Sequence, residues 1–216
     1  MPYNLHPSER LRALFKAKPW QGNDPLLSDF VFVGLDANYA ADIETILPEV
    51  FSYHEDGVKF WRSTGVHHPC RLRHYHGKGK LYHDKFAEIG FKPEHAESVS
   101  FLELLDVPTT GSKLTVADLT EEHLSFLLDV FENGSARYIF MPSSVANILR
   151  ETRSFRWLPR YSAAKGGDLT ILRERLGQTI YQMYHLSCYG WQLHVLNKQL
   201  SQVRRIVESH RFNYSK

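Results

Sequence analysis

Four short apolar segments alternate along the chain with segments of helical periodicity. Residues 29–35 form a nearly continuous apolar run, which is typical of a strand that is buried on both faces of a parallel sheet. Three further segments, at 98–105, 137–141 and 178–186, have the same strand-like character. The pattern therefore predicts four strands.

Helical spacing of apolar residues separates these strands. The predicted helices lie at 8–16, 120–131, 143–149 and 193–207. Ser8 and Thr120 are the expected N-caps of the first two helices, and Gly134 is the expected stop of the second. The alternation predicts a single α/β domain over residues 1–216, a three-layer α/β/α sandwich with a central, mainly parallel four-stranded sheet.

Composition narrows the class of protein. The chain has 216 residues, of which 43% are hydrophobic and 23% charged, and this excludes a mainly disordered chain, a collagen and a coiled-coil rod. No apolar run approaches the roughly 18 residues of a membrane span, and the first residues lack the apolar core of a signal peptide. We therefore expect a soluble, cytoplasmic protein with no membrane partner.

Charge and cysteine content exclude some kinds of site. The net charge is only +2, so charge alone does not identify a nucleic-acid-binding protein. Two cysteines, Cys70 and Cys188, provide neither a disulfide framework nor a four-cysteine metal site.

Polar residues follow the first and the last predicted strand. Asp36 lies just after the first strand, and His185 lies at the end of the last. Ligands of parallel sheets bind beyond the carboxyl ends of the strands, so both side chains are predicted to face one site. The alternative is that each residue only caps or hydrogen-bonds the backbone.

Two short motifs at these strand ends resemble those of the uracil-DNA glycosylase superfamily. Gly34-Leu35-Asp36-Ala37-Asn38 is similar to its first motif, and His185-Leu186-Ser187-Cys188 to its second. Lys59-Phe60-Trp61 resembles the Arg-Phe-Trp segment of the mismatch-specific branch. The resemblance implies a parallel sheet and a DNA glycosylase of base excision repair, which hydrolyses the N-glycosidic bond of a damaged or deaminated base. It also implies DNA, single-stranded or mismatched, as the partner, and no cofactor is expected.

The resemblance also implies roles for individual residues. Asp36 would orient a water molecule and stabilise the positive charge on the sugar, while His185 and Ser187 would stabilise the departing base. A glycosylase flips its target base out of the stack and holds it against aromatic rings. The further candidates for the base pocket are Asn38, Tyr39, Phe51 and Phe60. Tyr189 would be the wedge that fills the vacated stack.

One departure from the family pattern concerns base recognition. The superfamily usually reads the base with an asparagine at the end of the second strand, but only Glu103 and Asp106 are available here. An ionised carboxylate accepts hydrogen bonds and cannot donate them. We therefore expect that uracil is not the preferred base if either carboxylate lines the pocket.

A stretch rich in arginine and aromatic residues is a candidate DNA-binding surface. It contains Arg150, Arg153, Phe155, Arg156, Trp157, Arg160, Tyr161 and Lys165. Alternating positive charges and rings suit a groove for a single or flipped strand. The alternative is a solvated loop whose side chains cover apolar surface.

Residues 65–83 are predicted to form a basic, histidine-rich insertion, of which the basic stretch at 71–80 is expected to be exposed. The potential zinc ligands there are His67, His68, Cys70, His74, His76 and His83. Their spacing lacks the paired ligands of zinc motifs, so no metal is expected. Two alternative functions stay open: an inactive nucleic-acid-binding relative, and a metal-dependent hydrolase that uses these histidines.

Overall fold

The computed structural model describes residues 3–160 and 167–212, and a six-stranded sheet forms its centre. The strands are β1 Tyr3–Leu5, β2 Trp20–Gly22, β3 Phe30–Gly34, β4 Val99–Glu103, β5 Thr109–Ser112, β6 Tyr138–Pro142, β7 Thr170–Arg175 and β8 Gln178–Met183. The strand order of the large sheet is β2-β4-β3-β6-β8-β7, while β1 and β5 form a separate antiparallel pair.

The four predicted strands are confirmed as β3, β4, β6 and β8, and they run parallel to one another. The prediction of only four strands is wrong, because β2 and β7 extend the sheet as antiparallel edge strands. Neither edge strand contains a continuous apolar run. Strand β2 has three residues, and the second half of β7 is charged and partly exposed.

Eight α-helices surround the sheet in the described part of the chain. They are α1 Glu9–Ala17, α2 Ile43–Ile46, α3 Glu49–Glu55, α4 Gly57–Thr64, α5 Lys80–Ala87, α6 Glu121–Asn133, α7 Ser143–Glu151 and α8 Gln192–Ser209. The Ser8 and Thr120 hydroxyl oxygens accept from backbone N–H groups of the first turns of α1 and α6, which confirms both N-caps. None of the helices in residues 3–160 and 167–212 is long and apolar enough to cross a membrane.

Helices pack on both faces of the sheet because β3 is apolar on both. Val31 and Val33 contribute to a core with α6 and α7. Phe30 and Phe32 contribute to a second core on the opposite face with α5 and α8. This arrangement explains why residues 30–34 are uniformly buried and leaves the carboxyl ends of the parallel strands free to form a site.

The predicted exposure of residues 71–80 is confirmed for most of that stretch. Four of the potential zinc ligands in the segment are buried: His67, His68, Cys70 and His83. The buried rings belong to an aromatic cluster, in which the His67 ring lies 4.4 Å from that of Phe86. The segment is therefore part of the fold and forms one wall of the site.

Candidate functional site

A cavity of about 500 Å³ opens at the carboxyl ends of β3 and β4 and beside the segment that follows β8. Six of the predicted site residues line it: Asp36, Asn38, Tyr39, Glu103, His185 and Ser187. The sequence prediction that Asp36 and His185 share one sheet edge is thus confirmed. The walls also include Gln21, Cys70, Leu81, Tyr82, Phe101, the two histidines at 68 and 83 and the 77–79 loop.

The segment that carries Asp36 is held in place by the start of β5. The Tyr39 N–H donates to the Thr109 carbonyl, and the Thr109 N–H donates to the Ala37 carbonyl, both at 2.9 Å. The Thr109 hydroxyl also donates to the Asp36 Oδ2 atom. This hydrogen bond fixes the orientation of the Asp36 carboxyl group at the cavity wall.

His185 presents a neutral imidazole to the cavity. Its Nδ1 atom accepts from the Ser187 N–H at 3.1 Å, so the ring proton of the neutral form lies on Nε2. Burial lowers the pKa of His185, and the nearby Asp36 charge only partly opposes this shift. The Nε2–H group is therefore a hydrogen-bond donor at neutral pH, suited to an oxygen or nitrogen that gains negative charge.

Of the two candidate carboxylates after the second predicted strand, only Glu103 reaches the cavity. Burial raises the pKa of Glu103 well above its usual range, and the Asp36 charge raises it further. Asp106 does not line the cavity, and the Thr120 hydroxyl donates to it at 3.4 Å. The prediction that Asp106 contacts a base is corrected, because it faces the start of α6 instead.

The aromatic lining differs from the sequence prediction. Phe51 and Phe60 are buried and do not line the cavity. The Phe51 ring packs under the Arg10 guanidinium at 4.1 Å, and Phe60 packs against Tyr53. Their proposed contact with a base is therefore corrected.

Tyr39 does line the cavity, but its hydroxyl belongs to a buried network and lies 3.0 Å from His54 Nε2. Tyr82 and Phe101 are the rings that sequence reasoning missed. The sequence identifies Phe101 only as part of a predicted strand. Tyr82 lies in the predicted histidine-rich insertion, and its helical spacing from Phe86 is the pattern that could have indicated a packed helix there.

Three residues of the 65–83 segment form a cluster that could hold a metal ion. One potential ligand atom from each of His68, Cys70 and His83 lies within 4.8 Å of the others. However, the rings of the two histidines stack with centroids 3.6 Å apart and planes 6° apart. The nitrogen lone pairs of an imidazole lie in the plane of its ring. In two parallel rings these lone pairs point side by side, so they do not converge on one metal ion. Burial lowers the pKa of both histidines, which leaves them in the neutral form that binds metals. Burial also raises the pKa of the Cys70 thiol to about 12, which disfavours the thiolate that a metal requires.

The candidate DNA-binding residues lie outside the cavity lining. Arg153, Arg156 and Arg160 are exposed, whereas Arg150 donates from Nε to the Leu158 carbonyl at 3.1 Å and thereby braces its own loop. The stretch supplies no row of stacking rings among the described residues, because Phe155 is fully buried and the Arg173 guanidinium covers the Trp157 ring. Tyr161 and Lys165 lie outside the described residues.

Tyr189 is 82% exposed and follows the His185 segment directly. Tyr189 does not line the cavity, and its exposure leaves it accessible to a ligand from solvent.

The comparisons with known proteins leave the site to be interpreted from its own chemistry. No protein-family model and no curated protein matches the chain. The groups that the cavity brings together include a hydrogen-bonded aspartate, a neutral imidazole donor, a second carboxyl group and three aromatic rings. These groups together suit the cleavage of a bond that separates positive from negative charge.

Proposed function

We propose that the cavity is the active site of a DNA glycosylase that hydrolyses the N-glycosidic bond of a damaged or deaminated base. The observation that carries the proposal is the meeting of Asp36 and His185 at one cavity. These residues come from distant parts of the sequence, and each belongs to one of the two motifs that resemble the uracil-DNA glycosylase superfamily.

The two side chains match the charges of the reaction. As the bond from the sugar to the base breaks, the sugar gains positive charge and the base gains negative charge. The Asp36 carboxylate, held by the Thr109 hydroxyl, stabilises the sugar and orients the attacking water. The Nε2–H of His185 stabilises the departing base as a hydrogen-bond donor.

The dimensions of the site also support the proposal. A cavity of about 500 Å³ is within the usual size of small-molecule sites and accommodates a single nucleotide. A base reaches such a cavity only when it leaves the stack. Tyr189, which is exposed and follows His185 by four residues, is the candidate for the ring that replaces the base in the duplex.

A metal-dependent hydrolase is the second candidate function. The single observation in its favour is the cluster of His68, Cys70 and His83 on the same cavity wall. A metal there would activate a water molecule, and Asp36 would then be a secondary group. The parallel stacking of the two imidazoles weighs against this arrangement.

The experiment that tests the proposal measures base release in the presence of a chelator. Oligonucleotides containing uracil, hypoxanthine, xanthine or mismatched thymine are incubated with the protein in the presence and in the absence of EDTA, and free bases and abasic sites are quantified. Release of at least one base in the presence of EDTA supports a glycosylase. Release that stops on chelation and returns with zinc supports the metal-dependent hydrolase. DNA binding without release of any base supports an inactive nucleic-acid-binding protein.

A further inference from the structure

Gln21 is a buried polar side chain at the inner end of the cavity. Only 4% of its surface is exposed, and it lines the cavity wall. It is the middle residue of β2 and is paired with Phe101, which lies two residues before the end of β4. Strand β4 separates β2 from β3. Because neighbouring strands are about 4.8 Å apart, Gln21 lies about 10 Å to the side of the strand that ends beside Asp36.

The oxygen of the Gln21 amide is held by two neighbouring side chains. His68 Nδ1 accepts from the Cys70 N–H at 3.1 Å, so the proton of the neutral ring lies on Nε2. This Nε2–H donates to Gln21 Oε1 at 3.2 Å, and the Tyr39 hydroxyl lies 3.3 Å from the same oxygen. An amide turned the other way would place its NH2 group against the Nε2–H, donor against donor. The network therefore fixes which side of the amide faces the protein.

The nitrogen of the same amide is a donor without a partner. Its NH2 group makes no hydrogen bond to any of the residues 3–160 and 167–212, although the side chain is buried. Buried polar groups are nearly always hydrogen-bonded, and an unpaired one is costly. Because Gln21 lines the cavity, an acceptor on a bound ligand can supply the missing partner.

The neighbours of the amide indicate which kind of acceptor fits. Burial raises the pKa of Tyr39 and lowers that of His68, so both contacting side chains are uncharged at neutral pH. Neither supplies the positive charge that a buried phosphate or carboxylate group requires. A neutral carbonyl oxygen suits the amide N–H groups in such surroundings.

We propose that Gln21 holds the inner end of the ligand by donating from its amide nitrogen to a carbonyl oxygen of that ligand. The inference rests on the proposed function in one respect, namely that the ligand is a flipped base. Uracil, hypoxanthine, xanthine and thymine all contain a carbonyl, so Gln21 does not select among them. Its contact instead fixes how far the base enters the cavity, and thereby where the bond to the sugar lies relative to Asp36.

The first test is calorimetric binding of free bases to wild type and to Gln21→Met. Methionine has nearly the length of glutamine but neither a donor N–H nor an amide oxygen. Uracil is compared with 2-thiouracil and 4-thiouracil, and hypoxanthine with its 6-thio analogue, because sulfur is a weaker acceptor than oxygen. For one of these carbonyls we expect the thio substitution to lower the affinity of wild type by about fivefold. In Gln21→Met the same substitution should change the affinity by less than about twofold.

This comparison separates a contact with the ligand from a structural role. Replacement of a glutamine that only braces the cavity wall would lower the affinity for all of the bases by one common factor. The matched control, Gln192→Met, changes a glutamine outside the cavity lining and should bind every base as wild type does. Thio substitutions that act equally on wild type and Gln21→Met would overturn the proposal, as would a wild-type protein that binds none of the bases.

A second measurement uses wild type alone and does not depend on the folding of a variant. The side-chain N–H resonances of Gln21 should move downfield in NMR spectra as uracil or hypoxanthine is added, because a carbonyl oxygen then accepts from them. Resonances that stay in place while a base binds would overturn the proposal.

Release of bases from DNA distinguishes this inference from the proposed function. Base release without coupling between Gln21 and any carbonyl leaves the glycosylase in place and removes the role of Gln21. Coupling without base release keeps that role, in a protein that binds bases and does not excise them.

Discussion

Substitution of Gly34 by alanine isolates the contact that positions Glu103. The backbone of Gly34 lies outside the left-handed region, and the nearest atoms to an added methyl group are all in the Glu103 carboxyl group. The methyl group therefore displaces the end of a flexible side chain and leaves the strands unmoved. A displaced rotamer costs about 0.5–1.5 kcal/mol, and the stiffer unfolded chain returns about 0.4–1 kcal/mol. We expect the free energy of unfolding to change by less than about 1 kcal/mol.

The effect on base release should be much larger than the effect on stability. Glu103 lines the proposed active site, so its displaced carboxyl group would lose its contacts with the bound base. We expect a loss equivalent to two hydrogen bonds of about 1 kcal/mol each. At about 1.4 kcal/mol per tenfold change in rate, kcat/KM of Gly34→Ala falls by about 30-fold. Urea denaturation gives the stability, and single-turnover release of uracil or hypoxanthine gives the rate.

The matched control is the same substitution in a Glu103→Ala background. There the methyl group meets no carboxyl group, so Gly34→Ala should change kcat/KM by less than about twofold. An equal loss in both backgrounds would refute the reasoning, because the methyl group would then act on something other than Glu103. Wild-type activity of the single variant would refute it as well.

Two further predictions concern stability and DNA binding. Burial lowers the pKa of His54 and His83 to about 3 and that of His67 and His68 well below its usual value, so on acidification the unfolded chain takes up protons that the folded protein does not. From pH 6.5 to 5.5 the free energy of unfolding should fall by roughly 3 kcal/mol, a net figure that includes the opposite effect of Glu103, whose raised pKa stabilises the folded protein on acidification. A free energy of unfolding that urea titrations show to be the same at both pH values would contradict this. Replacing the exposed Arg153 and Arg156 with alanine should weaken binding to all DNA sequences and reduce the salt slope by about one per lost phosphate contact; an unchanged slope would show that they only cover surface.

The parallel core of the fold was predictable from sequence because burial on both faces leaves a direct mark. Residues 30–34 are apolar at almost every position, and Ser8 and Thr120 cap their helices through local hydrogen bonds. The sequences of the edge strands show no such apolar pattern, since β2 is three residues long and β7 is half exposed.

The site was predictable only where it depends on strand ends. Asp36 and His185 follow strands, and the topology alone brings them to one edge. The positions of His68 and His83 depend on tertiary packing of polar-looking sequence, which hydrophobic periodicity does not reveal. The raised pKa of Glu103 was also hidden, because it depends on burial in the folded protein and on the charge of Asp36.

The most direct test of the central claim is the single-turnover rate of base release by Asp36→Asn, measured beside its affinity for the same DNA. Asparagine has nearly the shape of aspartate but cannot supply negative charge to the sugar in the transition state. We predict that the rate falls by about 100-fold or more, while Kd stays within about threefold. An unchanged rate, or equal losses of rate and affinity, would contradict the role of Asp36 and with it the assignment of this cavity as the active site.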